Sequence, residues 1–174
     1  MLKGIGLLLI VSACSVTGAS FSGRLKKRVT LLEKLLLFLE LYMVELRCSM
    51  ADTGELLRRI WQSGQVRELW FLEEIVRKTE KGIPVPLLWE SDCQAFLIKD
   101  PVAASLEPTD RELLLKLGGL LGSADYEGQI ALLQRHQDLF AQHLNAAKER
   151  YTQLSRLYLS FGVLTGLGAA VLLL

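Results

Sequence analysis

The chain has 174 residues, 51% of them hydrophobic, and a formal net charge of +1. That length allows one modest domain together with membrane segments, but not two full domains. All 19 acidic residues and all but one of the 20 basic residues lie between positions 24 and 156, so this block is electrically neutral. A neutral block argues against a nucleic-acid-binding domain, which would carry a net basic face or tail.

Residues 1–23 form an apolar N-terminal stretch. A basic cluster follows it, at Arg24, Lys26, Lys27 and Arg28. Three interpretations compete for this stretch: a retained membrane helix, a cleaved secretory signal, and a lipoprotein signal in which Cys14 would be lipidated. Only Lys3 is basic ahead of the cluster, and basic flanks stay in the cytoplasm. We therefore predict a transmembrane segment over residues 1–23, with its N-terminus outside the cell.

Residues 24–50 predict the strongest helix outside the membrane. Its apolar residues step alternately by four and three, at Leu25, Val29, Leu32, Leu36, Leu39, Met43 and Leu46. A second stripe widens this face, at Leu31, Leu35, Phe38 and Tyr42. So wide a face packs against two or more helices, which favours a helical bundle over a dimeric coiled coil.

Four shorter helices are expected in the middle of the chain. They run from Asp52 or Thr53 to Ser63, and over 66–81, 87–98 and 110–121. Pro84 and Pro86 predict an extended bend before the third of them. Thr109 is the expected N-cap of the fourth, with Glu112 at the capping-box position. Because no strand-like alternation is present, we predict an all-α fold.

Residues 125–174 predict one long helix that is continuous into the membrane. Its apolar positions follow heptad spacing, and residues 157–174 carry no charge. About 18 residues span roughly 27 Å as a helix, which is enough for a hydrocarbon core. Basic residues precede this run and none follows it, which places the C-terminus outside. The expected organisation is a cytoplasmic bundle of about six helices, residues 24–156, between transmembrane segments 1–23 and 157–174.

Small residues recur every fourth position in the closing segment, at Gly162, Gly166 and Ala170. This spacing lets membrane helices approach closely, so we expect these residues to pack on the N-terminal segment or on another subunit.

The sequence gives little indication of a metal-binding or catalytic site. His136 and His143 are seven residues apart, whereas a helical metal pair normally uses i,i+4 spacing, so solvated or capping histidines are favoured. Cys14, Cys48 and Cys93 have no metal-site spacing, and free, buried thiols in a reducing cytoplasm are expected. No metal, cofactor or enzymatic activity is predicted.

Three tryptophans are a candidate partner contact, at Trp61, Trp70 and Trp89. They are more than a small core needs, although three core tryptophans remain the alternative. We place the expected contact in segment 52–98.

A turn rich in glycine separates the last two predicted helices. Gly122 can adopt the left-handed C-terminal cap, and Gly118 would let its helix approach a neighbour closely. The turn is not a phosphate-binding loop, because no Gly-Lys-Ser/Thr follows it and no strand precedes it. Its pattern is formed by Leu117, Gly118, Leu121, Gly122, Asp125 and Gln129.

Together, this pattern and the two apolar ends of the chain resemble the stage III sporulation protein AB family. The resemblance covers the whole chain, although residues 51–108 match only in helical pattern. The resemblance implies a membrane protein of a mother-cell complex that helps form a channel to the forespore. It also implies a cytoplasmic bundle similar to domains of the type II secretion and type IV pilus platform protein. The implied partner is the secretion-type ATPase of the same complex, stage III sporulation protein AA. The competing hypothesis is an exported helical envelope protein, lipidated at Cys14.

Overall fold

A computed structural model describes the backbone of residues 2–49, 51–122 and 126–173, and the side chains of 22–49, 51–122, 126–155 and 157. Over these residues it contains six α-helices and no strand, which confirms the all-α prediction. The helices are α1 (Leu2–Cys48), α2 (Thr53–Gln62), α3 (Phe71–Thr79), α4 (Val85–Lys99), α5 (Pro108–Leu117) and α6 (Tyr126–Leu173). Two 3-10 turns, Ala103–Ser105 and Gly118–Leu120, precede and follow α5.

Two long helices, α1 and α6, form the frame of the bundle. They run antiparallel, because Tyr42 of α1 pairs with Gln129 near the start of α6, whereas Glu33 pairs with Lys148 further along it. The predicted long last helix is unbroken from Tyr126 to Leu173. At the N-terminus a separate helix was expected from residue 24, but α1 passes through Gly23 without a break, since no proline or capping sequence stops it.

Three of the short helices begin or end differently from the prediction. Residues 65–68 form turns, so α3 starts at Phe71 rather than at residue 66. Pro86 lies in the first turn of α4, where its missing N–H costs nothing, so only Pro84 belongs to an extended bend.

The start of α5 was also predicted wrongly. Its N-cap is Glu107, and Asp110 completes the capping box in place of Thr109 and Glu112. Glu107 is followed by Pro108, whose fixed φ suits the first helical position, so the helix starts two residues early.

One continuous apolar core joins all six helices. Both predicted stripes of α1 contribute to it, and the second stripe is almost completely buried from Leu31 to Tyr42. At its centre Phe71 packs edge-on against Trp89 at 5.4 Å between ring centroids, and Phe96 lies 5.1 Å from Phe71. The rings of α3 and α4 thus fill the space beside the α1–α6 pair.

The bundle has two distinct ends. The charged end contains residues 22–28, 66–70, 100–110 and 150–157, where Arg28 and Arg150 both contact Glu107. The turn end contains residues 42–49, 51–54, 79–89, 117–122 and 126–129, which include the starts of α2, α4 and α6. Contacts of Gly54 with Thr79 and of Gly118 with Trp89 define this end.

Within the fully described residues, no helix is both long and apolar enough to cross a membrane. The apolar side chains of 1–21 and 158–174 lie outside those residues, as do Cys14, Gly162, Gly166 and Ala170, on which the membrane predictions depend. The predicted boundaries 1–23, 24–156 and 157–174 therefore stay predictions.

Candidate functional site

The Gly118–Leu120 turn rests directly on a core tryptophan. A Cβ atom placed on Gly118 would lie 2.2 Å from Cγ of Trp89, so no larger residue fits without displacing the ring. The indole is 1% exposed, and its Nε1 donates a hydrogen bond to the carbonyl of Leu114 at 3.0 Å. The predicted close approach at Gly118 is confirmed, and Trp89 is the neighbour.

The end of this turn requires a left-handed backbone. Gly122 has φ of +76°, as predicted, and its α-carbon faces α2: an added Cβ would meet Oγ1 of Thr53 at 2.7 Å. Leu117 and Leu121 are fully buried on either side of the turn. Asp125, the motif's acidic position, lies outside the described residues. Gly122 therefore supplies the positive φ at the end of this turn and lets the chain lie close to the start of α2.

A buried polar pair connects the turn to α1. Gln129 is 4% exposed, and its Nε2 donates to the hydroxyl of Tyr42 at 3.2 Å. Burial raises the pKa of the Tyr42 hydroxyl, and hydrogen bonds with Thr53 and Gln129 oppose that rise only partly. Thr53 contacts both Gly122 and Tyr42, so these motif residues form one connected structural unit at the turn end.

An ionic cluster holds α1, α5 and α6 together at the charged end. Arg28 binds Asp110 through Nε at 2.7 Å and a second nitrogen at 3.1 Å, and reaches Glu107 at 2.6 Å. His143 adds a 2.7 Å contact to Asp110, and Arg150 a 2.7 Å bond to Glu107. The side chains of Arg28 and Asp110 are 5% and 0% exposed. Two carboxylates are thus shared among three basic groups from two helices.

Asp110 is ionised in this setting. Burial alone would raise the pKa of its carboxyl, but hydrogen bonds from Arg28, the backbone N–H of Glu107 and His143 outweigh burial, and the pKa is lowered. A buried charge with this many donors is stabilised by its partners.

The histidines differ from the prediction. His136 is buried rather than solvated: its Nε2 lies 2.8 Å from the carbonyl oxygen of Leu113, and its ring packs edge-on against Phe140. Burial lowers the pKa of His136, so it is neutral at pH 7. His143 belongs to the ionic cluster and is only partly exposed. In the described part of the chain, no group of His, Cys, Asp or Glu side chains could hold a metal ion.

The three tryptophans occupy different positions. Trp89 lies in the core, where its ring presents no surface to a partner. Trp70 is partly buried, lies edge-on to Phe96 and donates from Nε1 to Asp100 at 2.9 Å. Trp61 is partly buried against the core. Contact of Trp61 or Trp70 with a partner stays a prediction.

Sequence reasoning missed the ionic cluster and one exposed thiol. Arg28 was counted with the basic flank, yet it is 4% exposed inside the bundle. The signal was present, because Arg28 continues the Leu31–Leu35 stripe by one step of three residues. Cys48 is exposed, contrary to the expectation of buried thiols, because it is in the last turn of α1; Cys93 is buried.

Comparison with known proteins gives one result for the whole chain. No curated protein and no solved structure matches it significantly. A family model described as stage III sporulation protein AB matches residues 3–174. That match includes the turn residues from Leu117 to Gln129, both long helices and every element between them. The chain therefore belongs to the stage III sporulation protein AB family, a family of sporulation proteins.

Proposed function

We propose that this chain is a non-enzymatic membrane component of a secretion-like channel complex between mother cell and forespore. Its segments 1–23 and 157–174 cross the mother-cell membrane with both termini outside. The bundle lies in the cytoplasm and docks the ATPase of the complex, an AA-like protein, as platform proteins of type II secretion do. Family membership supports the sporulation role.

The polarity of the bundle is the observation that carries this proposal. Arg28 and Arg150 meet on Glu107, so the chain enters and leaves the bundle at the charged end, toward both apolar segments. The opposite end is then the part furthest from the membrane. A protein that binds there has free access to it.

The turn end also carries exposed apolar side chains. They are Val44 at 53%, Ile83 at 40%, Leu87 at 72% and Tyr126 at 50%. These are four of the eight exposed large apolar side chains among the described residues, and exposed apolar groups are enriched in protein-binding surfaces. Ile83 and Leu87 also lie in segment 52–98, where the sequence placed the partner contact. We therefore assign ATPase docking to the turn end.

A matched pair of variants on α4 tests the docking surface. Leu87 and Ile98 are 72% and 83% exposed on one face of α4, three helical turns apart, but Leu87 is at the turn end and Ile98 is at the opposite end of the helix, next to the charged end. Leu87→Glu should reduce co-purification of the ATPase with the detergent-solubilised full-length chain about tenfold, as loss of an interface anchor does. Ile98→Glu should leave it unchanged. Equal recovery of the ATPase with both variants would contradict docking at the turn end.

Thiol labelling tests the orientation and separates the proposal from the lipoprotein alternative. Cys48 is exposed and Cys93 is buried, with burial raising the pKa of the Cys93 thiol, so Cys48 is the accessible reporter. An impermeant maleimide should label Cys48 only after the cells are permeabilised. The Cys48→Ser variant, which keeps Cys14 and Cys93, measures background labelling. Labelling of Cys48 in intact cells would support an exported protein anchored through Cys14 instead.

A further inference from the structure

A cavity of about 560 Å³ opens at the charged end of the bundle. One wall is a stripe of α1 at Gly23, Lys27, Thr30 and Lys34, which are spaced by four, three and four residues and so share a helix face. The segments 67–70 and 100–102 form the opposite wall.

The lining of the cavity has an excess of positive charge. Its four basic side chains are Lys26, Lys27, Lys34 and Arg67. Lys34 pairs with Glu68 at 3.0 Å, whereas the other three make no ion pair with any described residue. Asp100 already accepts from Nε1 of Trp70 and from the backbone N–H groups of Val102 and Ala103. Both acids of the lining therefore have partners, while three of its cations form no ion pair within the described part of the chain.

The same cavity has apolar surface beside these cations. Trp70 and Val102, which are only partly buried, contribute to its walls. A hydrated inorganic anion gains nothing from such a surface, whereas an amphiphile with an anionic group and a hydrocarbon chain matches both parts. Lysine and arginine bind phosphate oxygens through charge-assisted hydrogen bonds.

The position of the cavity matches a lipid source. Gly23, the last residue of the apolar N-terminal stretch, is itself part of the lining. Because α1 is one continuous helix, Lys27 lies only about 6 Å further along its axis. If residues 1–23 cross the membrane, the cavity faces the phosphate groups of the inner leaflet.

We propose that this cavity binds one anionic phospholipid, with its phosphate at Lys26, Lys27 and Arg67 and the start of an acyl chain against Trp70 and Val102. The proposal rests on the membrane insertion proposed above. Binding at this point would fix the depth and rotation of α1 relative to the bilayer.

The experiment is a lipid titration of the full-length chain in detergent micelles, followed by native mass spectrometry. Dioleoyl phosphatidylglycerol should bind at least about tenfold more tightly than dioleoyl phosphatidylcholine. In the triple variant Lys26→Gln, Lys27→Gln, Arg67→Gln this preference should be lost, since each basic group near a lipid surface contributes roughly fivefold.

The control triple variant changes Arg47, Lys81 and Arg135 to Gln. These residues are also exposed and without an ion pair among the described residues, but none lines the cavity. It removes the same charge and should keep the preference. Thermal unfolding monitors the fold of both variants.

Three results would overturn the proposal: equal binding of the two lipids by the unaltered chain, equal loss in both triple variants, or displacement of the lipid by equimolar inorganic phosphate. Failure of membrane insertion is distinguishable from all three. In that case the unaltered chain would leave cell membranes at high salt without detergent, before any lipid is added.

Discussion

At the charged end α1 and α6 are joined through ions that meet at the start of α5, whereas at the turn end the turn after α5 packs on α4 through a close contact between a glycine and an aromatic ring. Arg28 and Arg150 reach Glu107 from the two long helices, and the buried Asp110 accepts from Arg28. Gly118, by contrast, admits the ring of Trp89 because it has no side chain at all. The bundle is therefore held by directional charge at one end and by shape at the other.

This difference determines how each end fails. A buried ion pair is destabilising once one partner is removed, because the remaining charge stays desolvated. A close backbone contact fails when volume is added, because a packed interior cannot make room for it. Substitutions that remove a charged side chain should therefore destabilise the charged end. Substitutions that add side-chain volume should destabilise the turn end.

The largest effect is expected from Asp110→Ala at the charged end. The variant leaves the buried Arg28 with Glu107 as its only carboxylate and removes an acceptor from His143. The free energy of unfolding should fall by roughly 3–5 kcal/mol. Urea unfolding of the full-length chain in detergent, followed by circular dichroism, measures it.

Glu112→Ala is the matched control on the same helix. Glu112 is exposed and pairs only with Lys116 one turn away, so its removal should change stability very little. If both variants unfolded at the same urea concentration, the ionic cluster would not hold the charged end.

The second effect, at the turn end, is expected from Gly118→Ala. The new methyl group would overlap Trp89, and relief requires a shift of the ring or of α5, at a cost of roughly 2–3 kcal/mol. The neighbouring Gly119→Ala meets no atom within 4 Å and should stay within a few tenths of a kcal/mol of the unaltered chain.

A double variant identifies the ring as the cause. With Trp89→Leu already present, Gly118→Ala should cost clearly less than it does alone, because the two sites are coupled by contact. Strict additivity of the two changes would show that the clash with Trp89 is not the source of the loss.

The smallest expected effect is a dependence of the free energy of unfolding on pH, caused by His136. His136 has a lowered pKa in the folded state because of burial, so the unfolded chain binds a proton more readily. Its contribution to stability is present above the ordinary value of 6.5 and is lost as the pH falls below it. The variant His136→Gln can still donate a hydrogen bond to Leu113. It should make the free energy of unfolding depend less on pH between about 7.5 and 5.

Asp110 provides the contrast in the same titration. Its lowered pKa makes stability fall only when the pH drops below the ordinary aspartate value of 3.8. A stability loss near pH 6 that survived His136→Gln would place its origin in another group.

Local pattern was enough to predict much of the fold. The stripes of α1 and the long last helix follow from spacing, the close approach at Gly118 from its missing side chain, and the positive φ at Gly122 from the conformational freedom of glycine. Such features depend on residues a few positions apart, and these can be read along the chain.

Contacts between distant residues could not be predicted in this way. Arg28 and Asp110 are 82 residues apart, and no local rule selects that pair among many carboxylates on wet helix faces. The burial of His136 depends on how α5 crosses α6, which the helix pattern leaves open. Exposure at Leu87 and Ile98 likewise depends on which face of α4 meets the core.

The unbroken course of α1 and α6 has a mechanical consequence. Each helix has 47 or 48 residues and is about 70 Å long, so the pair behaves as a double lever without an internal hinge. A tilt of about 5° at one end moves the other end by roughly 6 Å. A push on the bundle at its turn end would therefore be transmitted along both helices to their opposite ends.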